Sequence, residues 1–559
     1  MIHHQRVEGG WFYCRGVSDV NTVFLDLPAP NAGKTTTTSK LIHEACQTYG
    51  SEAVLVSSFT RTAARELVGR NLPLSDDQIG TLHAHCYRAL DRPKLVSSTL
   101  LKDWNAEHPT RAFGGIGTDV DDPYANFETS GKQDGDTLLE ELNRLRGLMV
   151  PEAAWPLRVQ SFAQEWADFK SNTFSMDFTD LIATCVTDRL PIPHDAAVFF
   201  LDEVQDFSPL ELSLGRAWGE QCEALYLAGD DDQCLYSFKG ATPDAFLSPA
   251  LPDEQVTVLG QSYRVPRAVY EAAVRWVSQI AVRKAKTYEP RPVDGIVDSL
   301  PLTYTYPGAV KDKLDEWIDQ GKTVAFLASC SFFLDPLKKA LREWGVPFHN
   351  PYRVSRGDWN PLGGAKRDMK VTLASDRVLA FRKPVQAAGW WTYGDLWRWV
   401  TVLEADGLFR HGAKTEIRRK AEAKETATLL ADAADLESWF VDPDAADKAT
   451  AGDLGWLKSK LLTTHQRPME YACNVLETRG AAALTQAPQV ILGTIHSVKG
   501  GEADVVVLFP DLSPAGYREW SSPGDAQDSV RRMFYVGMTR AKEALYWAQP
   551  CGMSIGGYL

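Results

Sequence analysis

Two stretches of this 559-residue chain indicate its fold class: AAVFFLDEVQD at residues 196–206 and LAGDDDQCLYSFKGA at residues 227–241. A short, uninterrupted apolar run opens the first stretch, and a second such run ends in the first residues of the other. Runs of this kind, rich in β-branched and aromatic residues, are typical of strands buried on both faces of a parallel sheet. Both runs end in carboxylates. Ligands of an open α/β sheet gather at the carboxyl ends of its strands. We therefore expect Asp202, Glu203 and the turn at 229–233 to face one crevice.

The composition is typical of a globular chain. Hydrophobic residues make up 44% and charged residues 24%, and no apolar run approaches the ~20 residues of a membrane span. The N-terminal MIHHQRVEGG lacks the apolar stretch of a secretory signal, so we expect a cytoplasmic protein with no membrane partner. Nine scattered cysteines without CxxC spacing argue against zinc, iron–sulfur and disulfide frameworks. The length indicates three or four domains.

The charge pattern disfavours a uniformly basic surface. The net charge is −14, so a protein of this charge that binds nucleic acid would do so through a local basic groove and not through a uniformly basic surface. One segment, 264–286, carries six basic side chains against the single acid Glu271. Blocks of like charge are usually solvated faces, and that is our prediction for this segment.

A strand–loop–helix pattern near the N-terminus indicates a phosphate-binding loop. An apolar run at 23–27 precedes PAPNAGKTTTT, and a helix-like segment at 35–49 follows. In such loops Lys34 would reach the β- and γ-phosphates, and the Thr35 hydroxyl would suit Mg²⁺. Pro28 stands where the first glycine of GxxxxGK[ST] belongs, so the pattern is incomplete.

Further segments alternate between strand and helix patterns. Apolar runs predict strands at 53–58, 323–328 and within 490–509, and helical patterns occur at 138–149, 155–171 and 336–344. The region 384–488 is helical and Ala-rich, and it contains WWTYGDLWRWV at 390–400. Aromatic residues at helical spacing are more often core than binding site, so we place these tryptophans in the core.

Taken in chain order, the motifs resemble those of superfamily 1A DNA helicases of the UvrD/Rep/PcrA type. The segments are GKT (33–35), MDFTDL (176–181), DEVQD (202–206), GDDDQCLYSFKGA (229–241), QSYR (261–264), TIHSVKGGE (494–502) and YVGMTRA (535–541). The resemblance extends over nearly the whole chain and depends on the complete series, since each member alone is a weak signal.

The resemblance implies an α/β fold with two RecA-like P-loop domains, whose parallel sheets are flanked by helices. Each domain is interrupted by a mainly helical inserted subdomain. The implied boundaries are 1–92 and 194–254 for the first domain with its insertion at 93–193, and 255–383 and 489–559 for the second with its insertion at 384–488. ATP is expected between the two domains, with arginine fingers Arg264 and Arg540 supplied by the second.

The resemblance also implies the ATP chemistry, with ATP and Mg²⁺ as cofactors. Phosphoryl transfer needs positioning and charge neutralisation more than covalent chemistry. The expected catalytic residues are Lys34, Asp202, Glu203, Gln233, Arg264 and Arg540, with Thr35 and Asp202 as the metal ligands. The expected nucleotide-binding residues are Asn31, Ala32, Gly33, Lys34, Thr35, Thr36, Tyr263, Arg264, Gly500, Glu502 and Arg540. The sequence around Gln5 does not match the family's adenine-reading glutamine.

The expected partners are single-stranded DNA and single-strand/duplex junctions, bound by a monomer or weak dimer. A translocase needs flat side chains on which bases stack. The residues at the matching positions are Phe59, Thr60, His83, Tyr236, Phe238, Lys239, Thr494 and His496. Lys239 stands where the family has arginine, which keeps the charge but loses the planar guanidinium. For any one aromatic residue alone, core packing is the commoner role.

Three functions remain open. The first is an ATP-dependent DNA helicase that moves 3′-to-5′ on single-stranded DNA in replication, repair or recombination. The second is a DNA-stimulated motor that strips proteins or serves a repair or anti-phage defence complex with little unwinding. The third follows from the altered phosphate loop: without a complete loop motif, the chain would be a DNA-binding relic that does not hydrolyse ATP.

Overall fold

The computed structural model of the chain describes residues 6–7, 10–11, 14–15, 21–26, 34–59, 72–114, 133–252, 255–353, 359–363, 372–385 and 389–556. The chain divides into two compact units. The first comprises Met1–Val297 and Ala515–Glu543, and the second comprises Asp298–Pro514 and Ala544–Leu559. The division into two domains with two insertions, in six segments, stays a prediction, because the two compact units do not decide it.

The described strands and helices alternate along the chain. The strands are β1 (Arg6–Val7), β2 (Gly10–Trp11), β3 (Cys14–Arg15), β4 (Asn21–Asp26), β5 (Val54–Ser58), β6 (Ile79–Thr81), β7 (Val198–Asp202), β8 (Ala224–Gly229), β9 (Val256–Val258), β10 (Gln261–Pro266), β11 (Glu289–Arg291), β12 (Ile296–Ser299), β13 (Val324–Ala328), β14 (Phe348–His349), β15 (Val490–Thr494), β16 (Ala503–Leu508) and β17 (Ala541–Trp547). The helices are α1 (Lys34–Tyr49), α2 (Leu82–Ala89), α3 (Ser98–Glu107), α4 (Asp134–Gly147), α5 (Leu157–Asn172), α6 (Phe178–Thr187), α7 (Pro209–Gly219), α8 (Pro243–Leu247), α9 (Arg267–Val277), α10 (Lys311–Asp319), α11 (Asp335–Glu343), α12 (Ala374–Phe381), α13 (Tyr393–Val400), α14 (Ala413–Glu422), α15 (Ala433–Trp439), α16 (Pro443–Thr450), α17 (Leu454–Ser459), α18 (Thr463–Arg479), α19 (Pro514–Trp520) and α20 (Asp525–Met538).

The first unit is built on a sheet of seven described strands. Its order is β3-β4-β8-β7-β5-β6, with β9 also paired to β4. The pairs β4–β8, β8–β7, β7–β5 and β5–β6 are parallel. The register sets Asp26 opposite Gly229 and Asp202 opposite Ala228, so three neighbouring strands end at nearly the same level. The segments that follow β4, β8 and β7 therefore emerge side by side.

The central strand β7 is buried on both faces, as its continuous apolar sequence predicts. Phe199 and Leu201 pack on one side in a cluster with Trp218. Val198 and Phe200 pack on the other side in a separate cluster. Because neighbouring side chains of a strand point to opposite faces, a strand covered by helices on both sides needs apolar residues throughout. This burial confirms the α/β class for the first unit.

A helical segment is inserted in the first unit between β6 and β7. Helices α3, α4 and α5 enclose an aromatic core in which Trp104 and Trp166 are almost fully buried. The predicted helices at 138–149 and 155–171 are confirmed as α4 and α5, with small shifts of their ends.

The second unit is organised around a sheet of six described strands in the order β12-β17-β16-β13-β15-β14. Strand β13 is parallel to both β15 and β16, and β14 is parallel to β15. Helices α12 to α18 form its helical part, in which Trp391 and Trp399 are fully buried. The prediction that the Trp-rich run belongs to the core is confirmed. Among the described helices, none has both the length and the apolar character needed to cross a membrane.

Candidate active site

The first acidic turn begins where β7 ends. Asp202 is the last residue of the strand and is 5% exposed. Glu203 follows in the left-handed region, with φ 58° and ψ 37°. A residue with a Cβ pays roughly 1–2 kcal/mol for this conformation, and such strain is concentrated at functional sites. The Glu203 carboxylate accepts a hydrogen bond of 2.6 Å from Gln205 Nε2, which holds its position.

The second acidic turn follows β8 and is joined to the first by a hydrogen bond. The backbone N–H of Asp230 donates to Gln205 Oε1 at 3.0 Å, so Gln205 contacts both turns. Asp230 Oδ2 accepts a bond of 2.6 Å from Gln233 Nε2. The amide of Gln233 is thereby oriented with its oxygen available to a donor on another element.

That donor is Arg540, which follows helix α20. Arg540 Nη2 donates to Gln233 Oε1 at 2.9 Å, and Arg540 Nε donates to the Val536 carbonyl at 2.9 Å. Arg264, on β10, donates through Nη1 to the Thr539 carbonyl at 3.4 Å. Both arginines are almost fully buried and belong to the first compact unit. Their origin in a second RecA-like domain stays a prediction, as does the domain division itself. The structure brings Gln233, Arg264 and Arg540 together.

The basic segment at 264–286 is not simply a solvated face, and that prediction is wrong for Arg264, Arg283 and Lys286. Arg283 makes two hydrogen bonds with the Asp232 carboxylate, at 2.8 and 2.6 Å. The Lys286 side chain is 2% exposed, and its Nζ lies 2.7 Å from Asp230 Oδ1. Burial raises the pKa of Asp232, and Lys286 is the leading influence that lowers it. Sequence reasoning missed this network, whose only sequence signal was three adjacent aspartates and a separate basic run.

The aromatic residues expected to stack on DNA form one cluster with unequal exposure. Phe59 is 6% exposed, with its ring centroid 4.8 Å from that of Tyr236 and 5.7 Å from that of Phe207. Phe238 is 48% exposed. Lys239 Nζ lies 4.5 Å from the Tyr236 ring centroid and 5.5 Å from that of Phe238. Phe238 thus presents its ring to solvent, whereas Phe59 packs in the core.

His83 is buried and lies close enough to Lys239 to feel its charge. It is 5% exposed, and its Nδ1 is 3.9 Å from Glu211 Oε1. Burial lowers the pKa of His83 to about 4, and the charge of Lys239 acts in the same direction. Glu211 accepts bonds from the backbone and hydroxyl of Ser208, while burial raises the pKa of its carboxyl. At neutral pH His83 is therefore an uncharged, buried side chain.

The other residues expected to bind the nucleotide differ in exposure, and some lie outside the described part of the chain. Tyr263 is 64% exposed on β10, which leaves its ring open for stacking, and Thr36 is exposed on α1. Lys34 and Thr35 are the first residues of α1, but their side chains lie outside the described part. The residues Asn31, Ala32, Gly33 and Thr60 also lie outside the described residues, as does Gln5.

Four expected site residues belong to the second unit. Thr494 ends β15 and is buried, and its hydroxyl accepts a bond of 3.2 Å from the Ser497 N–H. His496 is half-buried in the turn that follows. Gly500 has a φ of 81°, a left-handed conformation that favours glycine, and Glu502 is exposed.

Comparisons with known proteins agree with this arrangement. The model of the UvrD/REP helicase N-terminal domain matches residues 17–250, and that of the UvrD-like helicase C-terminal domain matches residues 467–549. Together they cover more than half of the chain. The chain is 26% identical over 405 residues to the ATP-dependent DNA helicase UvrD2 of Mycobacterium tuberculosis, covering 67% of this chain and 51% of that protein.

A second relative is the ATP-dependent DNA helicase PcrA of Bacillus subtilis. It is 26% identical over 279 residues, covering 44% of this chain and 35% of that protein. The chain spans about half the length of the UvrD2 relatives that it matches. The two domain matches and the ordered series of motifs show that this chain belongs to the UvrD/Rep family of superfamily 1 helicases.

Proposed function

We propose that this protein is an ATP-dependent DNA helicase that couples ATP hydrolysis to movement along single-stranded DNA. The observation that carries the proposal is the contact between Gln233 and Arg540 beside the acidic residues that end β7. It joins a candidate phosphate sensor and a candidate arginine finger in one site. The sensor lies three residues before Tyr236, in the aromatic cluster that is the candidate DNA contact.

The residues fit Mg²⁺ and ATP as cofactors. Helix α1 has 16 residues and begins at Lys34, and the N-terminus of such a helix favours phosphate. Strand β4, which precedes this loop and helix, is separated from β7 by β8 alone. Asp202, a buried carboxylate at the end of β7, and Thr35 would hold the metal. When bound, Mg²⁺ neutralises phosphate charge.

The chain's own residues supply the remaining chemistry. Glu203 would orient the attacking water and accept its proton, because its carboxylate is held at the strand end by Gln205. Arg540 and Arg264 would stabilise the charge that spreads over the transferred phosphoryl group. Tyr263 would stack on the adenine, and Gly500 and Glu502 would contribute to nucleotide binding.

Coupling to DNA would run through the turn that carries Gln233. A change in the hydrogen bonds of Gln233 would be transmitted along the chain to Tyr236, Phe238 and Lys239. Base stacking on aromatic side chains is worth ~1–3 kcal/mol per base and tolerates any sequence. Phe238 is the most exposed ring of the cluster that it forms with Phe59 and Tyr236, and Thr494 and His496 are further proposed contacts. Family resemblance supports 3′-to-5′ movement, with replication, repair or recombination as the setting.

The test measures ATP hydrolysis with and without single-stranded DNA, followed by strand displacement on duplexes with 3′ or 5′ tails. We expect DNA-stimulated hydrolysis, its loss in Lys34→Ala, and displacement from 3′ tails. Equal hydrolysis in wild type and Lys34→Ala would refute the proposal. Hydrolysis without displacement would favour the motor that strips proteins or serves a larger complex.

A further inference from the structure

Lys286 is a buried cation in contact with the turn that holds Gln233. Its side chain is 2% exposed, and Nζ lies 2.7 Å from Asp230 Oδ1 and 3.7 Å from Asp232 Oδ2. It also contacts the Asp231 carboxylate. All three aspartates are almost fully buried, and one carboxylate oxygen from each lies within 4.8 Å of those of the other two. One ammonium group thus contacts three carboxylates at once.

The charges of this cluster require compensation. Buried carboxylates that lie this close repel one another, and a buried charge is costly unless it is paired and hydrogen-bonded. Lys286 and Arg283 supply two positive charges, and the Lys284 N–H donates to Asp231 Oδ2 at 2.9 Å. These two cations and the backbone N–H therefore hold the three carboxylates at their observed positions in the turn.

The two oxygens of Asp230 connect Lys286 to the candidate phosphate sensor. Oδ1 contacts Lys286 Nζ, while Oδ2 accepts the bond of 2.6 Å from Gln233 Nε2. Gln233 in turn accepts the bond from Arg540. A carboxylate held at one oxygen by a buried ammonium has a fixed plane, and this plane fixes the amide bonded to its other oxygen.

We infer that Lys286 is a positioning residue for ATP hydrolysis, which acts through Asp230 to hold Gln233 in place against Arg540. The expected effect of Lys286 on hydrolysis rests on the proposed function, whereas the contacts by which Lys286 positions Gln233 do not. Without Lys286, Asp230 Oδ1 would lose its ammonium partner, the carboxylate could rotate, and Gln233 would lose its fixed orientation.

The first test is hydrogen–deuterium exchange on the nucleotide-free full chain, comparing wild type with Lys286→Met. Peptides that cover 230–238 are expected to exchange faster in the variant, while the strand at 324–328 in the second unit stays unchanged. Arg267→Met is the matched control, because Arg267 lies in the same basic segment but forms an exposed ion pair with Asp294. Unchanged exchange at 230–238 would overturn the inference, as would an equal increase across the whole first unit.

The second test is a double-mutant cycle on ATP hydrolysis. Lys286→Met is expected to lower kcat about 10- to 100-fold with a small change in KM, because misplaced groups lose transition-state contacts. In a Gln233→Ala background the same substitution should have little further effect, since both act on one interaction. Independent, multiplicative losses would show a purely structural role and overturn the inference.

A second variant covers the case in which Lys286→Met does not fold. Lys286→Met combined with Asp231→Asn removes one charge of each sign and leaves Asp230 without its cation. It should fold and retain the loss of kcat, whereas wild-type kcat would overturn the inference. If the wild-type protein hydrolyses no ATP, the proposed function fails, and the exchange of 230–238 alone decides the role of Lys286.

Discussion

The unequal exposure of Phe59 and Phe238 predicts different consequences of truncating the two rings: weaker DNA binding for Phe238 and lower stability for Phe59. Phe238 is 48% exposed, so Phe238→Ala loses a stacking platform but little core packing. One lost stacking contact of ~1–3 kcal/mol corresponds to a roughly 5- to 150-fold weaker affinity for single-stranded DNA. Phe59 is 6% exposed and packs against Phe207 and Tyr236, so Phe59→Ala should cost about 3–5 kcal/mol of stability.

The assay pairs two measurements on each variant. Fluorescence anisotropy with a labelled oligothymidine gives the Kd at a fixed salt concentration, because DNA affinity depends strongly on salt. Thermal unfolding gives the stability change. We expect Phe238→Ala to bind weakly and unfold near the wild-type temperature, and Phe59→Ala to unfold at a clearly lower temperature. Wild-type affinity in Phe238→Ala, together with lost affinity and unchanged unfolding in Phe59→Ala, would refute the assignment of these roles.

Two further predictions concern groups near this cluster. The pKa of His83 is lowered from about 6.5 to about 4, so below pH 6.5 the unfolded chain binds a proton at this histidine more readily than the folded chain does. The stability associated with neutral His83 is therefore complete above pH 6.5. It is lost as the pH falls towards 4, by up to ~3 kcal/mol. Unfolding measured across that range should show a shallower loss in His83→Gln, and an identical slope would contradict the assignment. Lys239 lies over the Tyr236 and Phe238 rings, so Lys239→Arg should preserve the cation–π contacts, add a planar stacking group and move the protein further per ATP. Translocation per ATP measured on single-stranded DNA checks this prediction, and an unchanged ratio would count against it.

The sequence was sufficient for the elements whose signal is local. The run of apolar residues in β7 predicts a strand buried on both faces, and burial of Phe199 and Phe200 in separate clusters confirms it. The Trp-rich run was predicted as core, and Trp391 and Trp399 are fully buried. These predictions succeed because periodicity and burial are properties of short segments.

The network around Asp230 could not be predicted in the same way. Lys286 and Asp230 are 56 residues apart, and a charged run that ends in a buried pair looks the same in sequence as one that faces solvent. The difference in exposure between Phe59 and Phe238 likewise depends on which surfaces the tertiary fold covers. The family resemblance implies a DNA contact for both rings, and the structure shows that they differ in exposure.

We propose that ATP is hydrolysed at the acidic turn after β7 in response to DNA, and Glu203→Gln is the variant that tests this claim. The substitution preserves the size of the side chain but removes the carboxylate that would take the proton from water. The measurement is steady-state ATP hydrolysis with and without single-stranded DNA, alongside ATP binding by the same variant. We predict DNA-stimulated hydrolysis in the wild type, and in Glu203→Gln retained binding with hydrolysis lowered at least 100-fold, in the range of ~10²–10⁴ for a lost general base. Wild-type hydrolysis in Glu203→Gln, or none in either protein, would contradict the claim.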